Sequence, residues 1–119
     1  MLLYWKTSFD MIGEMMEPSK KDWKLFREKL PLWQESYMEK LVQEYIALLR
    51  KKETASDKFW KLEDRIKKDR KHPGVIMEMR KSDMTYDIVM LIRYGVIQLD
   101  DLEGFSEELI EQVRFMVER

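Results

Sequence analysis

The chain contains no cysteine and a single histidine, His72. The first absence excludes disulfide scaffolds, thiol catalysis, zinc ribbons and cysteine-ligated iron–sulfur clusters. The second excludes any site built on two imidazoles. Glycine is scarce: Gly13, Gly74, Gly95 and Gly104 stand too far apart to form a phosphate-cradling loop of the P-loop or dinucleotide type. Long apolar runs are missing as well. The stretch Ile88-Val89-Met90-Leu91-Ile92 ends after five residues, whereas a membrane span needs about 20. The opening Met1-Leu2-Leu3-Tyr4-Trp5-Lys6 has no basic leader and too short an apolar run for a secretory signal. These absences predict a cytoplasmic protein with no membrane association, and the lack of cysteine suits a reducing compartment.

What is present points to a folded chain. Of 119 residues, 45% are hydrophobic and 38% charged. That is too apolar for a disordered tail and too charged for a membrane protein. The length predicts a single helical domain over 1–119, large enough to need no covalent staple. Charge is uneven. Residues 1–18 carry a net −2, 19–53 a net +3, 54–74 a net +3 and 75–119 a net −5. A basic middle thus precedes an acidic end, and the simplest expectation is that the two attract each other within the fold or between subunits.

Apolar spacing is helical nearly throughout. Leu2, Trp5, Phe9, Ile12 and Met16 recur at steps of three and four, with Pro18 expected to end that helix. Ser19 is the expected N-cap of the next, with Asp22 in the position of a capping-box partner. Pro31 either opens a new helix or kinks a continuing one. From Leu32 to about Lys52, Trp33, Tyr37, Leu41, Tyr45 and Leu48 form one ridge, and Met38, Val42, Ile46 and Leu49 a second. This wide apolar face is expected to be the backbone of the core. Ser56 is the expected cap of a helix reaching about Lys71, with Pro73-Gly74 as the breaker. Val75–Lys81 fits either a short helix or an extended piece. Ser82 or Asp83 should cap a central, nearly all-apolar helix of Met84, Ile88, Leu91 and Ile92, with Gly95 as its left-handed C′ residue. A single turn over Leu99–Glu103 precedes a last helix capped by Ser106, with Phe105 and Ile110 at the staple positions. The fold class is therefore all-α, a compact bundle of about five helices.

No catalytic constellation emerges. A Ser–His–acid triad needs an oriented imidazole, and His72, inside Arg70-Lys71-His72-Pro73-Gly74, has the setting of a turn residue. Asp69-x-x-His72 occurs once and lacks the twin that a helical di-metal site requires. The acidic cluster from Asp100 to Glu111 lacks EF-hand spacing, and helix-dipole placement explains its later carboxylates. We therefore expect no enzyme, cofactor or metal.

Two positive signals remain. Lys58, Lys61, Arg65, Lys68 and His72 step by three and four, a stripe about 80° wide on one helix. With Phe59 and Trp60 beside it, this stripe is a candidate nucleic-acid contact through Lys58, Lys61, Arg65 and Lys68. Interspersed Asp57, Asp64 and Asp69 argue for a solvated face instead. The second signal is the stock of ten methionines, four tryptophans, five tyrosines and five phenylalanines, an inventory suited to an adaptable partner surface or a dimer seam.

The stretches from His72-Pro73-Gly74-Val75 to Ser82-Asp83-Met84, and from Tyr94-Gly95-Val96-Ile97 to Asp101-Leu102-Glu103-Gly104-Phe105-Ser106, are similar to small uncharacterised helical proteins of Gram-positive bacteria. The resemblance covers about a third of the chain, implies a bacterial cytosolic origin and adds no site residue. The resulting expectation is a non-enzymatic interaction or regulatory protein that pairs with itself as a homodimer or with another protein. A nucleic-acid-binding accessory protein is the alternative.

Overall fold

The computed structural model describes residues 18–119. The expected helix over Leu2–Met16 lies outside the described residues. Among those described, 72% are helical and none is in a strand, so the chain is all-α. The described residues form four α-helices, not about five: α1 (Lys20–Leu49), α2 (Ala55–Asp69), α3 (Met84–Arg93) and α4 (Glu107–Val117). Two 3-10 turns, Lys81–Asp83 and Leu99–Leu102, link the later helices.

Of the two alternatives at Pro31, a new helix or a continuing one, the structure takes the second. The proline lies inside α1, a single helix of 30 residues, about 45 Å long at 1.5 Å per residue. Pro31 has no N–H for the Arg27 carbonyl, and an interior proline costs a helix about 3 kcal/mol. Leu30, buried, and Trp33, half-buried, flank it and pack into the same core. Their burial offsets that cost.

The core occupies one end of the molecule. Phe26 and Leu30 of α1 meet Met84, Ile88, Val89 and Leu91 of α3, Leu109 and Val113 of α4, and Ile97, Leu102 and Phe105 of the connections. Trp23, Phe26, Trp33 and Phe105 form a chain of rings with neighbouring centroids 6.1–6.3 Å apart, a spacing typical of aromatic contacts. The helix of Met84, Ile88 and Leu91 is central, as its all-round apolarity predicts.

Buried Asp22 joins the ends of two helices. Ser19 Oγ accepts from the Asp22 backbone N–H at 3.1 Å, which caps α1. The Asp22 carboxylate does not complete a local capping box. It accepts from the Ser106 backbone N–H at 2.9 Å and the Ser106 hydroxyl at 2.6 Å, 84 residues away. Ser106 in turn caps α4 by accepting from the Leu109 N–H.

Other punctuation follows local chemistry, with one exception. Gly95 has φ +76, and its N–H bonds to the Ile92 carbonyl while Val96 N–H reaches Leu91. These two bonds form a Schellman stop to α3. The cap of α2 is Thr54, not Ser56: Thr54 Oγ1 accepts from the Asp57 N–H, so the helix begins earlier and Ser56 falls in its first turn. Of Val75–Lys81, residues 76–80 take neither helix nor strand, Val75 belongs to a turn, and Lys81 opens the first 3-10 turn.

The second half of α1 is not the backbone of the core. Of its first ridge only Leu41 is buried; Trp33, Tyr37, Tyr45 and Leu48 are half-buried. No residue of α2 is buried. The two elements form an antiparallel hairpin that projects from the core.

Candidate functional site

The hairpin is closed mainly by polar and aromatic contacts. At its base, Tyr37 and His72 stack with centroids 4.5 Å apart and planes 4° from parallel. The Tyr37 hydroxyl lies 3.2 Å from His72 Nε2, and His72 Nδ1 accepts from the Gly74 N–H at 3.0 Å. His72 thus has the expected turn role, and Tyr94 at the end of α3 adds an edge contact at 5.5 Å. Gln34 Nε2 donates to the Pro73 carbonyl. A Cβ on Gly74 would stand 2.3 Å from the Tyr37 ring, so only glycine lets the turn approach this closely.

Farther out, the Tyr45 hydroxyl donates to the Asp69 carboxylate, and Arg65 lies 5.4 Å over the Tyr45 ring. Burial, then that hydrogen bond, pushes the Tyr45 hydroxyl up to about 12. Tyr37 is raised too, by burial and then by the charge of Asp69.

The four cations of the candidate nucleic-acid stripe share one face of α2 but not one state. Lys61 is paired with Glu53, and Arg65 with Asp69 and Glu44. The hydrogen bond to Glu53 raises the Lys61 ammonium above its ordinary range. Lys58 is half-buried and Lys68 is exposed. Trp60, at 61% exposed, meets Phe59 edge-on at 4.9 Å.

The hairpin's other side is apolar, and no element among the described residues covers it. Met38, Val42 and Leu49 lie on one ridge of α1, and Phe59 and Ile66 on one ridge of α2; each is more than 40% exposed. A groove of about 200 Å³ runs between the ridges, with Met38, Val42, Tyr45, Ile66 and Val75 among its walls. Sequence periodicity finds the Met38, Val42 and Leu49 positions of α1. It cannot show that no helix of the described chain covers them.

A second concavity, of about 430 Å³, opens where the hairpin base meets α3. Asp87 lies in its wall with Met90, Tyr94, Lys68 and Lys71. Asp87 Oδ2 is buried with no hydrogen-bond partner. Burial, then the neighbouring charge of Asp83, pushes this carboxyl up to about 6. Sequence reasoning missed Asp87: an acid in the first turn of a helix is ordinary, and its desolvation comes from tertiary packing that spacing does not show.

Among the described residues no three His, Cys, Asp or Glu side chains group to hold a metal ion. No helix among them is long and apolar enough to cross a membrane. The chain matches no protein-family model, no curated protein and no solved structure.

Proposed function

We propose that this chain is a non-enzymatic interaction protein that pairs with a second copy of itself through the apolar side of the α1–α2 hairpin. The observation that carries this reading is the pair of exposed ridges, Met38, Val42 and Leu49 with Phe59 and Ile66, flanking an apolar groove. Monomeric surfaces rarely keep such continuous apolar patches in water. Two hairpins placed face to face would set the ridges of one copy into the groove of the other as a four-helix layer. A two-fold axis satisfies both copies at once, the commonest closure for a self-complementary surface. Light scattering at micromolar concentration should give twice the chain mass of 14.6 kDa. A clean monomer at several hundred micromolar would overturn the homodimer.

The nucleic-acid reading ranks second because two of its four cations are already engaged. A polyanion has to displace Glu53 from Lys61, and Glu44 and Asp69 from Arg65. We expect nucleic-acid binding no tighter than about 10⁻⁴ to 10⁻⁶ M at physiological salt, the level of nonspecific electrostatics. Nanomolar binding abolished by Lys58→Glu with Lys68→Glu would reverse the ranking.

A further inference from the structure

The cleft between the hairpin base and α3 plays no part in the proposed pairing surface, and its charges are arranged for something else. Its volume, about 430 Å³, lies in the range of small-molecule sites. Part of its wall is apolar, formed by Ile76, Met77 and Met90. Into this setting α3 brings Asp87, whose Oδ2 is shielded from water and accepts no hydrogen bond. A buried acceptor left unpaired costs about 1–3 kcal/mol, more when charged, so a donor that reaches it gains that much.

Lys68 and Lys71, both exposed, line the same cleft. None of the ion pairs among the described residues uses either of them. The cleft therefore carries charges of both signs. A simple anion meets the Asp87 carboxylate, and a simple cation meets two ammonium groups. A molecule carrying both charges satisfies both, and an apolar linker suits the Ile76, Met77 and Met90 part of the wall. Tyr94 adds an aromatic ring, which favours an ammonium close by.

We propose that this cleft binds a small amphoteric amine, with its ammonium donating to Asp87, its anionic group held by Lys68 and Lys71, and its apolar linker against Met77 and Met90. The rigid base supports such a site. His72 is fixed by Tyr37, Tyr94 and the Gly74 N–H, so the Lys68 and Lys71 side of the cleft is held against α3.

Calorimetric titration of the full chain with the ω-amino acids from β-alanine to 6-aminohexanoate, beside hexylamine and hexanoate, tests this directly. The best amino acid should bind at least about tenfold tighter than either singly charged control, a ratio matching one charge-assisted hydrogen bond. Asp87→Asn should reduce its affinity to that of hexanoate. Lys68→Ala with Lys71→Ala, both at exposed positions, should reduce it to that of hexylamine even if Asp87→Asn fails to fold. Equal binding of all probes, no binding by any amino acid of the series, or unchanged affinity in the lysine variant would each overturn the proposal.

Discussion

The Asp22 carboxylate is buried, yet both its oxygens accept hydrogen bonds from Ser106. Asp22→Ala would leave the Ser106 N–H without its partner and detach the start of α4 from the start of α1. Hydrogen bonds to a charged group are worth about 1.5–3 kcal/mol, so chemical denaturation should show a loss of at least that size. Leu91 is fully buried in α3, and Leu91→Ala should cost roughly 2–5 kcal/mol; a loss below about 0.5 kcal/mol is the level of a surface substitution and would contradict its place in the core. Asp87 acts in the opposite sense to Asp22. Its carboxyl, ordinarily near 3.8, is pushed up to about 6 by burial and then by Asp83. Between those two values the folded state holds more protons at this site than the unfolded state, so raising the pH removes stability. Asp87→Asn abolishes that loss. Relative to the parent, the variant should gain stability between pH 4 and pH 7, by well under the ~3 kcal/mol of the full shift, because water partly screens this incompletely buried group. A constant difference across that range would contradict the buried, unpartnered carboxylate.

At the scale of elements, what can be read from sequence divides by range. Ser19, Ser106 and Gly95 are legible because a cap or stop is decided by the residue and its immediate neighbours. Thr54 against Ser56 shows the limit of that logic: both can cap, and the helix takes the earlier one. Asp22 looks like a local partner of Ser19 and proves to be a long-range one. The ridge of Tyr37, Leu41 and Tyr45 is legible as apolar, but its depth is not. Periodicity states which side of a helix avoids water and not whether another helix arrives to cover it. For the same reason the lysine and arginine stripe on α2 is legible while its carboxylate partners Glu44 and Glu53, outside α2, are not. Because α2 buries no residue, its position depends on polar and aromatic ties, of which the one at Tyr37, His72 and Gly74 anchors the hairpin base. Gly74→Ala forces a Cβ into the Tyr37 ring and should loosen the hairpin without dissolving the core. Hydrogen exchange should then rise across α2 while α3 keeps its protection. Equal acceleration in both helices would show that hairpin and core unfold as one unit.

At the scale of the molecule, the chain divides its tasks between two ends. The core of α3, α4 and the first half of α1 supplies the packed apolar interior. The hairpin carries one charged side, with several of its cations paired internally, and one apolar side left open to solvent. An open face of this kind weakens solubility unless it is covered, and a second copy is the cover its two parallel ridges suit best. Sedimentation equilibrium on the parent chain and on Val42→Asp with Ile66→Asp tests this most directly, since both positions are exposed and the substitutions leave the core untouched. The parent should sediment as a dimer at micromolar concentration and the double variant as a folded monomer of 14.6 kDa. A monomeric parent, or a double variant that dimerises as tightly as the parent, would contradict the account.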